Sequence, residues 1–362
     1  MRVLLLPFSW IFAVIIGLRN FFFDRGILKS EVFSLPIISV GNITLGGTGK
    51  TPLSEYIIRT FSGSLRCGFL SRGYGRLTKG ALLADSNSTF VEIGDEPKQL
   101  KSKFENLLVV VSEKRRIGMQ KLLNLPHPPD LVVLDDAYQH RYVKPGISIL
   151  VMDYFRPIWK DFLLPAGNLR EPQKNIKRAD IIVVNKCPVD LSEKEADFIK
   201  NKLNLSKNQQ LFFTSISYKE PISFLHLMQN NSLTSEPSQK DLQKIIKEKK
   251  SPIIAVAGIG NPTPFFEMVK DYEKKVKTFR FKDHHRYTIF DINKIIFNTK
   301  CDNCNETPLI ITTEKDAFRM IAIRELDANL ASKIWYIPIE LIFLYNNKLI
   351  FDKILNNYVR KN

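Results

Sequence analysis

Residues 36–52 read P-I-I-S-V-G-N-I-T-L-G-G-T-G-K-T-P, an apolar strand-like run followed by glycines, Lys-Thr and a proline. Glycines let backbone N–H groups point at phosphate oxygens without a Cβ in between, and proline is tolerated in the first turn of a helix. A strand, a glycine loop, Lys-Thr and a helix, in this order, indicate a phosphate-binding loop. The strict pattern has a further glycine five residues before the Gly of Gly-Lys. Thr44 stands there, so the loop is an offset variant.

This loop predicts a nucleotide site made of backbone amides and two side chains. Lys50 is expected to reach the β- and γ-phosphates, and Thr51 to hold Mg²⁺. The nucleotide-binding residues predicted here are Gly46, Gly47, Thr48, Gly49, Lys50 and Thr51. The alternative is a glycine-rich turn that merely precedes Lys-Thr. The strand before it and the helix with its early proline favour the phosphate-binding loop.

Composition limits the classes of protein to consider. The chain has 362 residues, enough for two domains of roughly 100–200 residues each. Its formal net charge of +16 favours phosphate-bearing partners such as nucleic acid, anionic lipid or phosphorylated substrates. Four cysteines do not form the framework of a disulfide-rich secreted protein. The isolated C-x-x-C pair Cys301 and Cys304 is interpreted as reduced thiols in a cytosolic loop rather than as a zinc or redox site.

An apolar run at residues 3–18 lies between Arg2 and Arg19. Sixteen helical residues span about 24 Å, less than the roughly 30 Å hydrocarbon core of a bilayer. No small-residue cleavage site follows, which argues against a signal peptide. We therefore predict an N-terminal helix in or on a membrane, with Arg19, Arg25 and Lys29 near lipid phosphates. An ordinary buried helix is the alternative.

Two further segments supply carboxylates. Residues 131–136, L-V-V-L-D-D, predict a buried strand that ends in Asp135 and Asp136. An acidic strand tip is the second signature of phosphate-loop enzymes, because its carboxylate orients Mg²⁺ and the water molecules around it. Asp95 and Glu96 stand on a turn before a helix. Helix capping and catalysis are both open interpretations of these two carboxylates.

Strand and helix patterns alternate from residue 36 to about 200, which predicts a doubly wound, mostly parallel α/β sheet of the P-loop NTPase class. A second, smaller α/β unit begins near Ile253. The expected domains are a membrane-associated helix (1–30), a P-loop core (31–205), a second α/β domain with linker strands (206–345) and a C-terminal helix that could pack back on the core (346–362). Asn185-Lys186 resembles the start of a guanine-recognition motif. Pro188 replaces its aspartate, so GTP specificity loses support.

A set of short motifs together resembles one family. In chain order they are N-I-T-L-G-G-T-G-K-T-P (42–52), S-R-G-Y-G (71–75), G-D-E-P (94–97), D-D-A-Y-Q-H (135–140), L-P-A-G-N-L-R-E-P (164–172), A-G-I-G-N-P (257–262), D-H-H (283–285) and T-E-K-D-A (313–317). This order and spacing resemble the tetraacyldisaccharide 4'-kinases, enzymes of the lipid A pathway of Gram-negative bacteria. Residues 188–250 and the C-terminal tail add nothing to the resemblance. Ala137-Tyr138 departs from it, since Gly-Phe or Gly-Leu is common there.

The resemblance implies a reaction and a location. ATP, with Mg²⁺, would phosphorylate the 4'-hydroxyl of an acylated glucosamine disaccharide 1-phosphate to give lipid IV-A. The enzyme would be a two-domain P-loop kinase at the cytoplasmic face of the bacterial inner membrane, held peripherally or monotopically by its first helix. Its basic surface would face anionic lipid. Neither a nucleic acid nor an identifiable protein partner is expected.

The resemblance also implies roles for individual residues. Asp95 matches the catalytic aspartate of the family, and His284 matches a histidine that pairs with it across the cleft. Lys50 would offset the charge of the γ-phosphate. Residues in matching motifs implied to bind the substrate are Arg72, Arg115, Asn168 and Arg170. Those implied on the metal side are Thr51, Asp135 and Asp136.

Two other classes of protein remain alternatives. A P-loop GTPase or metal-insertion NTPase would share the phosphate-binding loop, and Pro188 argues against it. A nucleic-acid-stimulated ATPase would explain the charge of +16. The chain shows no recognised nucleic-acid-binding motif, and the apolar first helix fits such a protein poorly.

Overall fold

The computed structural model describes residues 2–230, 242, 252–273, 276–298 and 308–361, so Cys301 and Cys304 lie outside the described residues. Within them the strands are β1 (Ile37–Gly41), β2 (Cys67–Ser71), β3 (Leu82–Leu83), β4 (Leu108–Val111), β5 (Leu131–Asp135), β6 (Ile147–Asp153), β7 (Ile181–Asn185), β8 (Gln210–Tyr218), β9 (Ile222–Ser223), β10 (Ile253–Ala257), β11 (Val276–Arg280), β12 (Leu309–Thr313), β13 (Ile334–Ile337) and β14 (Ile339–Phe343). The α-helices are α1 (Leu6–Asp24), α2 (Lys50–Phe61), α3 (Phe90–Ile93), α4 (Asp95–Lys103), α5 (Arg115–Leu123), α6 (Glu193–Leu203), α7 (Phe224–Asn230), α8 (Thr263–Val269), α9 (Ile289–Phe297), α10 (Glu314–Met320), α11 (Ala328–Ala331) and α12 (Lys348–Lys361).

The larger sheet has the strand order β14-β8-β7-β6-β1-β5-β2-β4-β3 among the described residues. Strands from β8 to β4 in this order run parallel, and the edge strands β14 and β3 run antiparallel to their neighbours. Strands β1, β5 and β7 are buried along their whole length, as expected for apolar parallel strands with both faces covered. The predicted doubly wound, mostly parallel sheet is confirmed.

Strand β1 is the point at which the strand order reverses. The chain first builds one side of the sheet from β1 to β2 and β4, and returns through β5. It then continues on the other side of β1 through β6, β7 and β8. Ligands of open α/β sheets bind at the carboxyl ends of strands at such a reversal. Val40 is paired with Asp135 here, so the phosphate-binding loop starts beside the predicted acidic strand tip.

The smaller sheet has the order β11-β10-β12-β13-β9 and forms the predicted second α/β unit. Strand β9 runs antiparallel to β13, and the other pairs are parallel. The chain enters this unit after Tyr218 and returns to the larger sheet at Ile339. The two crossings lie side by side, and the Lys219 N–H of one donates to the Pro338 carbonyl of the other at 2.8 Å.

Strand pairing divides the chain differently from the expected range 206–345. Strands β8 and β14 pair with each other in the larger sheet, although both fall inside that range. The cause is a pairing between distant segments that leaves no local pattern in either strand. Helix α12 lies on the larger sheet, where Phe351 and Leu355 join its core and the Ile37 N–H donates to the Tyr358 hydroxyl at 2.9 Å.

Helix α1 lies on the surface of the molecule. It buries Ser9, Asn20 and Phe23, while most of its large apolar side chains are exposed. The alternative of an ordinary buried helix is therefore wrong. In the described part of the chain, α1 is the helix long and apolar enough to cross a membrane. Its 19 residues correspond to roughly 28 Å, and such a helix is compatible with membrane association.

Candidate active site

The phosphate-binding loop joins β1 to α2 and is held from outside. Gly46 and Gly49 have φ angles of 87° and 92°, a left-handed conformation that favours glycine. A Cβ on Gly49 would collide with the Asn185 side chain, whose Nδ2 donates to the Thr48 carbonyl at 3.1 Å. Lys50 opens α2 directly after Gly49. The free N–H groups at the start of α2 are therefore fixed at the carboxyl edge of the sheet, where they can bind an anion.

A second segment supports the other end of this loop. Thr44, which occupies the place of the missing glycine, forms a β-bridge with Leu169. The Leu45 N–H donates to the Asn168 carbonyl at 2.8 Å, and the Arg170 N–H donates to the Ile43 carbonyl at 2.7 Å. Thr44 thus fits a loop that is braced by a neighbouring strand-like segment. The Asn168 side chain donates to Asp161 at 2.8 Å, which fixes its orientation.

Asp136 brings three of the predicted residues together. Its Oδ1 lies 3.4 Å from Lys50 Nζ, and its Oδ2 accepts from Arg170 Nη1 at 2.9 Å. Burial raises the pKa of Asp136, but Lys50 and Arg170 outweigh burial and lower this pKa below its usual value. Asp136 is thus ionised at neutral pH. It also has a φ angle of 45°, which turns its side chain at the strand end.

Asp135 has a different environment. It is buried, and its Oδ2 accepts from the Ser71 hydroxyl at 3.2 Å. Its Oδ1 is buried without a hydrogen-bond partner in the described structure. Burial and the charge of Asp136 raise the pKa of Asp135 to about 6. An unsatisfied carboxylate oxygen beside a second carboxylate suits a hard divalent cation with oxygen ligands.

This donor set fits Mg²⁺ only with help from outside the chain. No group of three or more His, Cys, Asp or Glu side chains is placed to hold a metal within the described ranges. Mg²⁺ usually takes one or two carboxylates and completes its shell with water and substrate phosphates. Asp135, Asp136 and Thr51 fit that pattern.

Positive charge surrounds the two aspartates. The buried Arg115 donates to the carbonyl oxygens of Ser112 and Asp135, at 2.6 and 2.9 Å. Burial lowers the pKa of Arg115 to about 10, so it remains charged. Burial and the charges of Arg115, Arg72 and Arg19 lower the pKa of His140 to about 4, with Asp136 acting in the opposite direction. His140 is therefore neutral and lies within the field of three arginines.

Asp95 of the first unit and His284 of the second unit lie in contact. Asp95 begins α4, and His284, with a φ angle of 60°, follows β11. His284 Nδ1 lies 2.8 Å from Asp95 Oδ2. Burial raises the pKa of Asp95, but the hydrogen bond with His284 and the charge of Arg319 lower it to about 2. The Asp95 carboxylate is used in these contacts and makes no capping hydrogen bond as an N-cap of α4, whose N-cap residue is Gly94.

Several residues of this site carry no role that their sequence pattern predicts. Arg319 donates to Asp95, Ser71 donates to Asp135, and His140 belongs to a motif but received no role. The available signal for Arg319 was its position three residues after Asp316, which places both on one helix face. Glu96 raises the pKa of Asp135, so the start of α4 and the end of β5 belong to one site.

Comparisons with known proteins agree over the whole chain. A family model described as "Tetraacyldisaccharide-1-P 4'-kinase" matches residues 1–360. The tetraacyldisaccharide 4'-kinase of Flavobacterium johnsoniae is 41% identical and covers 100% of this chain and 98% of its own. That of Phocaeicola vulgatus is 40% identical and covers 99% and 95%. A crystal structure of "apo" form LpxK from Aquifex aeolicus in complex with ATP has a TM-score of 0.73 and 28% identity, covering 99% of both chains.

Proposed function

The chain belongs to the tetraacyldisaccharide-1-phosphate 4'-kinase family, and from that premise we propose how its residues carry out the reaction. It is a kinase of lipid A biosynthesis that transfers a phosphoryl group from ATP to the 4'-hydroxyl of tetraacyldisaccharide 1-phosphate. The full-length match to this family argues against the alternatives of a GTPase, a metal-insertion NTPase and a nucleic-acid-stimulated ATPase.

ATP binds with its phosphates on the loop between β1 and α2. The amides from Gly46 to Thr51 point at phosphate oxygens, and Lys50 neutralises charge that develops on the γ-phosphate. Lys50 is already oriented by Asp136 at 3.4 Å. An ion pair that keeps the ammonium in place lowers the reorganisation that the reaction would otherwise need.

Mg²⁺ would be held by Asp135, Asp136 and the Thr51 hydroxyl. When bound, the ion neutralises phosphate charge and orients the transferring group. The support is the unsatisfied buried Oδ1 of Asp135, which a cation would satisfy. Ser71 orients the other oxygen of the same carboxylate at 3.2 Å.

The acceptor hydroxyl approaches from the side of Asp95 and His284. Asp95 accepts a hydrogen bond from the 4'-hydroxyl and takes its proton as the new O–P bond forms. The bond from the γ-phosphorus to the bridging oxygen breaks, and ADP carries away its electron pair. His284 orients the carboxylate, and general-base assistance of this kind is typically worth 10²–10⁴-fold in rate. The contact of 2.8 Å between residues of the two units is the observation that carries this proposal.

Arginines near the two aspartates recognise the phosphorylated sugar. Arg170 lies against Asp136, and Arg72 and Arg115 act electrostatically on the same region. Guanidinium groups match phosphate geometry with two parallel donors. Arg115 has both terminal nitrogens engaged with carbonyl oxygens, so its contribution is charge rather than direct donation. Asn168 shapes the segment that braces the nucleotide loop.

The reaction takes place at the cytoplasmic face of the bacterial inner membrane. The acyl chains of the substrate stay in the bilayer, and the exposed apolar face of α1 suits the same environment. Ser9 donates to the Leu163 carbonyl at 2.9 Å, which ties α1 to the segment that also braces the nucleotide loop. The net charge of +16 favours an anionic lipid surface.

The test is phosphate transfer from ATP to tetraacyldisaccharide 1-phosphate in detergent, with wild type beside Asp95→Ala and Asp95→Asn. We expect kcat to fall by roughly 10²-fold or more in both variants, because the base is removed. Glu92→Gln is the matched control, since Glu92 caps the neighbouring helix α3 without touching Asp95. Near-normal turnover by the Asp95 variants would refute the role proposed for this residue.

A further inference from the structure

Arg319 lies between the two groups of the proposed base couple. It is 2% exposed, and its Nε donates to Asp95 Oδ2 at 2.8 Å. Its Nη2 lies 2.7 Å from the same oxygen and 3.2 Å from His284 Nδ1. Its Nη1 donates to the Gly258 carbonyl and to Asp316 Oδ1, both at 2.8 Å. Every nitrogen of the guanidinium therefore has a polar partner, and the partners come from both units.

The second unit fixes the orientation of Arg319 by itself. Asp316 precedes Arg319 by one helical turn on α10, and its Oδ2 accepts from the Gly258 N–H at 2.9 Å and from the Thr313 hydroxyl at 2.7 Å. Gly258 directly follows β10. Asp316 is thus held by two strand ends, and it holds Arg319 in turn. The contacts within the second unit therefore orient the guanidinium toward the first unit without help from Asp95.

All the contacts to Asp95 converge on one oxygen. Arg319 Nε, Arg319 Nη2 and His284 Nδ1 all lie within 2.8 Å of Oδ2. Within the described ranges, no hydrogen bond reaches Oδ1. A carboxylate that is held through one oxygen by a rigid planar donor rotates little, so its other oxygen keeps a fixed direction.

We propose that Arg319 is the positioning residue of the base couple. It holds Asp95 Oδ2 against His284 and leaves Oδ1 as the oxygen that accepts the proton of the 4'-hydroxyl while the O–P bond forms and ADP leaves. This inference deepens the proposed function and rests on it. It also explains why the couple forms between two units: helix α4 of the first unit brings the carboxylate, and the second unit brings donors that its own contacts already hold in place.

An ordinary interdomain ion pair is the competing explanation, and the chain contains a matched example. Lys315 Nζ lies 2.7 Å from Glu96 Oε1, so it joins the same two helices, α10 and α4, one residue away from Asp95. If Arg319 only held the helices together, Lys315→Met and Arg319→Met should have similar effects. The charge of Lys315 also lowers the pKa of Asp95, so both variants can move the acid limb. If Arg319 positions the base, only Arg319→Met should lower kcat on the pH plateau above that limb.

The experiment measures kcat, KM and their pH dependence for wild type, Arg319→Lys, Arg319→Met and Lys315→Met. We expect kcat of Arg319→Met to fall at least tenfold with KM for ATP little changed. The acid limb of its kcat profile should move to higher pH, because a cation that lowers the pKa of Asp95 is lost. Arg319→Lys keeps the charge but lacks the planar fork, so it should retain the acid limb and lose part of kcat.

Arg319→Met leaves Asp316 buried without its partner, so Arg319→Met/Asp316→Asn is measured beside it to remove the uncompensated charge. Thermal unfolding of each variant is measured to check that it is folded. A folded Arg319→Met with wild-type kcat would overturn the inference, as would an equal fall of the plateau kcat in Lys315→Met. Asp95→Asn is assayed in parallel: if it stays active, the role proposed for Asp95 fails, whereas an inactive Asp95→Asn beside a normal Arg319→Met refutes the role of Arg319 alone.

Discussion

Asp135 and Asp136 are neighbours in sequence with opposite environments. Asp136 has two cationic partners, and its pKa is lowered. Asp135 has one hydroxyl partner and a carboxylate beside it, and its pKa is raised to about 6. Titratable groups whose surroundings separate their pKa values are typical of active sites. Here the separation leaves a buried negative charge at neutral pH for which a bound cation would compensate.

The ionised form of the buried Asp135 is expected to lower the free energy of unfolding, and this effect can be measured. The pKa of Asp135 is raised in the folded protein from 3.8 to about 6, so folding favours the protonated form. The folded protein should therefore lose stability as the pH rises from about 4 through about 6. We expect Asp135→Asn, without metal, to be more stable than wild type by up to ~3 kcal/mol at pH 8 and by little at pH 4. Urea unfolding in EDTA at the two pH values measures the difference.

The same variant tests the metal site without an activity assay. Mg²⁺ should raise the melting temperature of the wild type at pH 8 and leave that of Asp135→Asn unchanged, since binding to the folded state stabilises it. Asp153→Asn is the control, because Asp153 is equally buried but pairs with Lys186 at 2.8 Å, so its loss should destabilise the protein. A stability gap for Asp135→Asn that does not grow with pH would contradict this account.

Sequence patterns were informative at the residue scale where chemistry is local. The phosphate-binding loop and the acidic strand tip each occupy a few consecutive residues, so spacing alone indicates their chemistry. Arg319 could not be assigned in this way, because its partner Asp95 lies 224 residues away. The pairing of Asp95 with His284 required the family resemblance for the same reason, since the two are 189 residues apart.

Helix α1 combines polar anchors with an exposed apolar face. Asn20 donates to Glu171 Oε2 at 3.1 Å, and Arg19 donates to the Gln139 carbonyl at 2.7 Å. Glu171 is fully buried, is held further by Arg178, and directly follows Arg170 of the active site. The polar face of α1 thus packs beside the loops that carry the site, which leaves the apolar face for a lipid surface.

The exposed face of α1 should control membrane binding. Phe8, Ile11 and Ile15 share one face by their spacing, and each is more than half exposed. Burial of one such side chain is worth about 1.5–3 kcal/mol. We expect the triple variant Phe8→Ser/Ile11→Ser/Ile15→Ser to bind phosphatidylglycerol vesicles at least tenfold more weakly in flotation, while its activity on detergent-dispersed substrate is retained.

Leu349 and Ile350 provide the control for this experiment. Both are exposed apolar residues on α12, which packs on the larger sheet through its opposite face. Leu349→Ser/Ile350→Ser should leave vesicle binding unchanged. Equal losses in both sets would mean that surface hydrophobicity in general, rather than α1, drives binding. Unchanged flotation of the α1 variant would remove α1 as the anchor.

At the scale of the whole molecule, two units with separate cores must present one site. The chain crosses between them twice at adjacent points, and α4 packs against α10. Lys103 on α4 connects this contact to α2, the helix that follows the nucleotide loop. Its ammonium pairs with Glu314 of α10 at 2.6 Å and with Glu55 of α2 at 2.8 Å. One ammonium therefore links the helix after the loop, the helix that carries the base and the second unit.

Removal of this ammonium should destabilise the assembly in a pH-dependent way. Burial raises the pKa of Glu314 to about 7 even beside Lys103, so the folded state favours its protonated form and loses stability as pH rises through that value. In Lys103→Met the charge of Glu314 loses its buried cationic partner and keeps only the hydrogen bond from Gln99 Nε2 at 3.0 Å. We expect a loss of about 3–5 kcal/mol at pH 9 and a smaller loss at pH 5.5, where Glu314 carries a proton. Urea unfolding at both pH values measures it.

A second substitution separates the charge from the lost side chain. In Lys103→Met/Glu314→Gln no buried charge remains at position 314, so most of the stability at pH 9 should return and the pH dependence should flatten. A matched loss at pH 5.5 and pH 9 in Lys103→Met would show that packing by the lysine stem is responsible. Recovery of stability in the double variant would instead show that the buried charge pair between Lys103 and Glu314 is responsible for the loss.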